Sequence, residues 1–360
     1  MEEKGKKGRM DCTLLLIVVL LVVIGLVILY STSAYNGQVK FHDSFYYLKK
    51  QAFATVLGIV LMLFVAGMDY HIWQRLAVFG YLAAVALSVA VMLFGREING
   101  SKRWLALGPF SFQPSEFAKV ALILFLADLV TKNVKTIGKM WTLCRIMFWI
   151  LPIVGLVGAS NLSTAIIILG IGVILIFVAS PKYAQFALMG LAGACFMGIF
   201  LALESYRLER LAIWRNPEKY EKGYQTLQGL YAIGSGGVFG VGLGNSVQKL
   251  GFVPEAQNDM IFSIICEELG LAGAGIIVFL FLLLIWRFFM IASGSRDLFG
   301  ALIATGAMAH MMIQVILNIA VVTNTIPNTG ITLPFISYGG TSVFLLIEMG
   351  LVLSVSQVVD

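Results

Sequence analysis

The sequence predicts an all-α integral membrane protein that crosses the bilayer about ten times. Three observations carry that reading. Hydrophobic residues make up 59% of the 360 residues and charged residues only 12%, against about 45–50% apolar and about 25% charged in a soluble domain. The apolar residues are gathered in blocks close to the ~20 residues that a helix needs to cross a bilayer. The blocks also lack the polar face of a soluble helix, and Leu14 to Leu29 has no polar face at all.

Ten blocks follow in order: 13–30, 51–68, 76–94, 114–130, 145–159, 162–180, 184–203, 260–286, 299–322 and 337–357. The first begins after a Lys-rich start and ends at Ser31-Thr32-Ser33-Ala34, which resembles a signal peptide. Its 18-residue apolar run is too long for a signal h-region, so it reads as a retained helix. The fifth is short and holds Pro152, so its ends are the least defined. The residues 1–360 read as one transmembrane domain.

Basic residues in short loops set the expected orientation. With the N-terminus inside, that side holds twelve: Lys4, Lys6, Lys7, Arg9, Arg75, Lys132, Lys135, Lys139, Arg145, Lys182, Arg287 and Arg296. The other side holds six: Lys40, Lys49, Lys50, Arg96, Lys102 and Arg103. Both termini are therefore expected in the cytoplasm. The net charge of +6 reflects this bias and gives no reason to expect nucleic acid. Cys12, Cys144, Cys195 and Cys266 show neither metal spacing nor a disulfide framework and read as small apolar packers.

Residues 204–259 break the rhythm of spans and are expected outside the cytoplasm. Long loops in compact proteins are usually functional or disordered. Trp214, Tyr220, Tyr224, Leu227, Leu230, Tyr231 and Phe239 argue against disorder here and for short amphipathic helices on the membrane surface. Gly234, Gly236, Gly237, Gly240, Gly242 and Gly244 lack the strand–turn–helix frame of a phosphate cradle. They read instead as sites of tight turns and close backbone approach. A second outer loop, about 95–113, combines Lys102 and Arg103 with Trp104. A third, 323–336, is nearly uncharged and carries two prolines, so it reads as an irregular segment at the bilayer edge.

Ionisable groups inside a span are functional candidates. Lys119 follows Glu116 at i,i+3 on one helix face, either as an internal ion pair or as a cation for a pyrophosphate. Glu267, Glu268, His310 and Glu348 suit either proton handling or hydrogen bonding between helices. Asp259, at the mouth of the eighth span, is either a helix N-cap or a chemical group. Glu255 is a second carboxylate nearby.

These residues carry a resemblance. Lys102-Arg103-Trp104 is followed by Gly108-Pro109-Phe110-Ser111-Phe112-Gln113-Pro114-Ser115-Glu116 and Lys119. Gly223-Tyr224-Gln225, then Gly234-Ser235-Gly236-Gly237 and Gly240 to Ser246, come next. Pro254-Glu255, Asp259 and Glu267-Glu268-Leu269-Gly270 follow, and Leu333-Pro334-Phe335-Ile336-Ser337-Tyr338-Gly339-Gly340-Thr341-Ser342 closes the set. In this order they resemble the SEDS family (shape, elongation, division and sporulation proteins: FtsW, RodA and SpoVE) over almost the whole chain. Gly244-Asn245-Ser246-Val247-Gln248-Lys249-Leu250 is more similar to the FtsW/SpoVE branch.

The resemblance implies a peptidoglycan glycosyltransferase of the bacterial plasma membrane. Such an enzyme polymerises the undecaprenyl-linked disaccharide lipid II on the outer face, beside a cognate class B penicillin-binding protein and other divisome membrane proteins. The family's essential loop aspartate maps onto Asp259, the expected general base. Arg103 and Lys119 are the leading cations for the departing pyrophosphate, with Lys249 and Arg215 behind them. Glu255 is expected to orient a sugar or tune Asp259, and Glu116, Gln113 and Ser337 complete the expected substrate contacts. A divalent cation, Mg or Mn, is a candidate cofactor with no ligand residues specified. Two departures stand out: Pro-Glu-Ala-Gln-Asn-Asp-Met replaces the family's usual Pro-Glu-Ala-His-Thr-Asp-Phe, and Ser160-Asn161 stands where the family often has Pro-Asp. Rival readings are a lipid II flippase and a non-catalytic division scaffold.

Overall fold

The computed structural model describes residues 9–98, 101–107, 110–187, 190, 212–340 and 342–358. The helices are α1 (Cys12–Phe41), α2 (Tyr46–Gly67), α3 (His71–Phe94), α4 (Pro114–Asn133), α5 (Met140–Ser160), α6 (Leu162–Ala179), α7 (Tyr224–Ser235), α8 (Ile261–Gly294), α9 (Leu298–Val322) and α10 (Ser342–Ser356). Among the described residues, seven of these (α1, α2, α3, α5, α6, α8 and α9) are long and apolar enough to cross a membrane. From Leu188 on, the expected span 184–203 lies outside the described residues, Gly190 excepted, as do Cys195 and residues 204–211.

Local chemistry sets the helix ends. Asp11 caps α1 by accepting from Leu14 N at 2.9 Å. The helix runs well past the expected end of the first span, to His42, whose left-handed backbone (φ 55°) turns the chain. Pro114, which needs no amide partner, opens α4 at its first turn. Asp297 caps α9 through Gly300 N at 2.8 Å. The carboxylate of Asp11 also meets Arg287 Nε at 2.7 Å, tying α1 to α8. Pro152 sits inside α5, which is one helix from Met140 to Ser160.

The 95–113 segment contains more order than a loop. It holds a small antiparallel sheet, β1 (Arg96–Ile98), β2 (Ser101–Leu107) and β3 (Phe110–Phe112), in that order. Ile98 pairs with Ser101, and Leu107 with Phe110. Asn99-Gly100, a dipeptide that favours hairpins, is a signal for the first pairing that the expectation of a loop leaves unused.

Helices in lipid gain no hydrophobic drive from meeting each other, so side-chain polar bonds and close packing hold them. On α10, Ser354 Oγ donates to Met68 O at 2.5 Å, and just past its end Gln357 Nε2 donates to Ala66 O at 2.7 Å. Gln51 of α2 donates to Ser342 Oγ at 3.0 Å and accepts from Gly339 N at 3.1 Å. The charged helix α4, with Glu116, Lys119, Asp128 and Lys132, is buried along most of its length.

The helix α8 is broken at Gly270, whose φ of 66° and ψ of −169° are not helical. Above the break, Ile261 to Glu268 are all buried; below it, Leu271, Ile276, Phe279, Leu282, Trp286 and Phe289 form an exposed apolar stripe. A break frees backbone groups that hydrocarbon cannot solvate. The glycine-rich segment supplies their partners. Val241 N and Gly242 N donate to the Glu267 and Glu268 carbonyls at 2.9 and 3.0 Å, while Leu271 N and Ala272 N donate to Gly237 O and Val238 O at 2.9 and 3.0 Å. A Cβ on Gly240 would collide with the Glu268 carbonyl, and its φ is 79°. Gly236 and Gly240 therefore allow close backbone approach, as the sequence suggested, whereas Gly234, Gly237 and Gly244 face open space on the Cβ side.

Replacing Gly240 by Ala should lower the melting temperature in detergent sharply, because backbone strain of about 1–3 kcal/mol adds to the clash with the Glu268 carbonyl. Gly234→Ala is the control, since that exposed helical position is open on the Cβ side. It should be neutral or stabilising by about 0.5–1 kcal/mol. Thermal unfolding of the two variants side by side checks both.

Candidate active site

Asp259 lies one residue before Met260, the N-cap of α8, and no side chain caps that helix. The capping alternative is thus not realised. Its backbone carbonyl accepts from Asn318 Nδ2 at 2.9 Å. Opposite it stands Gly330, where an added Cβ would lie 3.8 Å from Asp259 Oδ2. Burial disfavours the charged form and pushes the Asp259 pKa from 3.8 up to about 6, with the Glu255 charge adding to the rise and the backbone amides of Asp259 and Met260 opposing it.

Two segments far apart in sequence make this wall. Residues 253–260 are stitched to 331–338 by Ser337 Oγ donating to Asn258 O at 2.7 Å and Tyr338 N donating to Gln257 O at 2.9 Å. Ser337 Oγ also accepts from Leu333 N at 2.8 Å. Asn36 of α1 holds Gln257 Oε1 at 3.1 Å. Glu255 is exposed, has a left-handed φ of 53°, and accepts from Asn258 Nδ2. The sequence-assigned Asp259, Glu255 and Ser337 therefore share one turn-rich wall.

The basic residues divide. Arg215 is exposed, beside Trp214, whose indole donates to Asn324 O at 2.9 Å at the start of the 323–336 loop. Arg103 is half-buried, donates through Nε to Ser160 O at 3.0 Å, and lines a small pocket with Gln113, Ser88, Pro114 and Asn161. Asn161 also caps α6 through Thr164 N at 3.3 Å, which gives the Ser-Asn departure a structural role.

Lys119 and Lys249 are committed elsewhere. Lys119 is 1% exposed, with its ammonium 2.9 Å from Glu116 Oε1 and 3.0 Å from Gln314 Oε1. Gln314 Oε1 also faces His310 Nε2 at 2.9 Å, and an amide oxygen only accepts, so Nε2 carries a hydrogen. His310 Nδ1 meets Glu348 Oε2 at 2.7 Å. These contacts form a buried polar chain from α4 through α9 to α10. Lys249 is buried with its ammonium 2.6 Å from Glu268 Oε1 and 3.0 Å from Ser31 Oγ, joining the loop to α8 and α1. Glu267 accepts from Val247 N at 3.0 Å and from Ser246 Oγ. Both glutamates thus take the hydrogen-bonding alternative.

Sequence reasoning missed Gln314 and Asn318. The signal was present: His310, Gln314 and Asn318 recur every four residues on one face of an otherwise apolar helix. Among the described residues, no three His, Cys, Asp or Glu side chains form a set able to hold a metal ion. The candidate Mg or Mn therefore has no such site there.

A helical bundle with membrane-spanning helices, carrying a recessed carboxylate where one span meets a folded loop, defines a multi-pass membrane protein with an acidic site at one end. The family model for cell cycle proteins of the FtsW, RodA and SpoVE type matches residues 12–360, and the chain belongs to that family. It is 40% identical to stage V sporulation protein E of Bacillus subtilis (strain 168), covering 98% of each chain. It is 35% identical to the probable peptidoglycan glycosyltransferase FtsW of Trichlorobacter lovleyi, covering 96% of this chain and 93% of that one. Among solved structures, it matches a chain of a peptidoglycan synthase complex described as coordinating polymerization and crosslinking, with a TM-score of 0.83, 30% identity, and 96% and 97% of the two chains covered. The rod shape determining protein RodA of Thermus thermophilus matches with a TM-score of 0.72 and 28% identity over 96% of each chain.

Breaking a buried ion pair from one side costs about 3–5 kcal/mol, because the remaining charge is left uncompensated. Lys249→Met should therefore destabilise the protein strongly. Lys249→Met with Glu268→Met together should be milder than either alone, as read by a double-mutant thermal-unfolding cycle.

Proposed function

We propose that this chain is a peptidoglycan glycosyltransferase that polymerises lipid II into glycan strands, with Asp259 as general base. The observation that carries the reading is Asp259 itself: a carboxylate with a raised pKa, facing Gly330 between two stitched loops. Family membership and the names of its relatives supply the reaction class.

The chemistry fits the residues. A sugar hydroxyl is a weak nucleophile, and a positioned base contributes about 10²–10⁴-fold to its attack. Asp259 takes the hydroxyl proton as the oxygen bonds to the anomeric carbon. The bond to the pyrophosphate breaks on the opposite side, so configuration inverts. The leaving group gains negative charge that a cation stabilises. Arg103 and Arg215 are the remaining sequence-assigned candidates, and the ammonium groups of Lys119 and Lys249 are held by Glu116 and Glu268 inside the protein, which weighs against that role for the two lysines. Glu255 raises the Asp259 pKa and so strengthens the base.

The length of α8 supports a site at the membrane surface. Below the break at Gly270, residues 271–294 alone extend about 36 Å at 1.5 Å each, whereas the hydrocarbon core is about 30 Å thick. The exposed stripe below Gly270 suffices to span, leaving Asp259 at the level of lipid head groups. With both termini cytoplasmic, as the basic residues suggest, that surface is the outer one, where the lipid-linked sugar and a class B penicillin-binding protein meet. The synthase complex matched by this fold supports such a partner.

Asp259→Asn should fold and insert normally yet make no glycan from purified labelled lipid II. Normal polymerisation by that variant, freed of contaminating polymerases, sinks the base assignment. The pH profile gives a second check. The base must be ionised, so turnover should fall as pH drops through about 6 and level off above it. Stability runs the other way, since the folded state favours protonated Asp259. Its contribution is fully present below about 4 and is lost as pH rises through about 6.

A further inference from the structure

We infer that Asn318, with Gln314 one turn earlier on α9, is a positioning residue that fixes the gap between Asp259 and the Gly330 wall. This rests on the reading of Asp259 as the base. Asn318 is fully buried, and its Nδ2 spends both hydrogens on carbonyl oxygens: Asp259 O at 2.9 Å and Ile331 O at 2.7 Å. Carbonyls only accept, so the amide cannot be turned around. One NH₂ group therefore bridges the residue before the α8 cap to the loop that faces it. Gln314 repeats the device at the next residue of the same loop, donating Nε2 to Thr332 O at 3.1 Å while its Oε1 receives Lys119. The two side chains thus pin consecutive carbonyls, Ile331 and Thr332, to α9.

That placement does more than join two loops. Gly330, directly before the pinned pair, is the residue whose Cβ position lies 3.8 Å from Asp259 Oδ2. The attacking hydroxyl has to enter the space beside that carboxylate. Without Asn318 the two walls keep Ser337 and Tyr338 as ties on the far side of the loop. The protein can therefore stay folded while the gap is no longer fixed. Asn318 hydrogen-bonds the Asp259 backbone carbonyl and not its carboxylate, so it is assigned to act through Asp259 and Gly330.

The test is steady-state polymerisation of labelled lipid II by the full-length protein. Asn318→Leu keeps the side-chain size and removes both donors, and Asn318→Gln keeps the donors but moves them by one methylene. The expected result is a kcat lower by about 100-fold for Leu, the scale for a 1 Å misplacement. The Gln variant should lose about tenfold. KM for lipid II should stay within about threefold in both, because no substrate contact is lost. A merely structural role predicts a lower melting temperature with unchanged turnover in the folded fraction. Turnover equal to wild type, a loss confined to KM, or a Gln variant no better than Leu overturns the inference. Should Asn318→Leu fail to fold, the Gln variant decides alone: wild-type kcat overturns the inference, and a tenfold loss at an unchanged melting temperature supports it. Asp259→Asn separates the two readings. If it polymerises normally, the base assignment fails whatever Asn318 does; if it is dead while Asn318→Leu is fully active, only the positioning role fails.

Discussion

Inside a bilayer a polar group without a water partner must find one in the chain, and most of what is unusual here follows from that constraint. The break in α8 at Gly270 leaves backbone amides and carbonyls unpaired at the membrane edge. The glycine-rich segment is drawn onto it and bonds them one by one. Glu268 and Lys249 neutralise each other beside the break, with Ser31 bridging to α1. The loop that carries Asp259 is thereby anchored on one side by a helix end and on the other by a backbone-to-backbone seam.

The same constraint explains the buried polar chain. Glu116, Lys119, Gln314, His310 and Glu348 lie too deep for solvent, and each has a partner in the next. A transporter would use such groups along a path through the bilayer. Here the chain turns toward the loop at Thr332, next to the residue that Asn318 holds to Asp259. Asp259 is the counter-example. Its carboxylate is partly buried and lacks a cationic partner among the causes of its shift, so its pKa rises to about 6, as the proposed role of base requires.

Much of the fold was legible in advance because a bilayer makes demands that composition answers directly. Uninterrupted apolar blocks located α1, α2, α3, α5, α6, α8 and α9, though α1 and α8 run well past their expected ends. The small sheet was harder to see. Strands of three residues leave almost no periodicity, and only Asn99-Gly100 hinted at a hairpin. For Lys119 the sequence offered an ion pair with Glu116 or a cation for a pyrophosphate, and the structure shows the pair. Its second partner Gln314, 195 residues away, and the Glu268 that pairs with Lys249, 19 residues away, were not legible, because a sequence shows charge without showing what it faces.

The sequence by itself determined that the chain lives in a membrane, roughly where the described spans fall, which family motifs it carries, and that Asp259 stands at the mouth of a helix. Those are properties of single segments, decided by hydropathy, capping and local residue order. Only the tertiary structure decided which charges are spent on stability, that Asp259 does not cap α8, and that Gly330, Ser337 and Asn318 close around it. Most of these depend on contacts between residues far apart in the chain, and a pKa depends on burial that no local pattern encodes. The physical reason is the same in every case: in a medium without water, the partner of a polar group decides its role, and the fold chooses the partner.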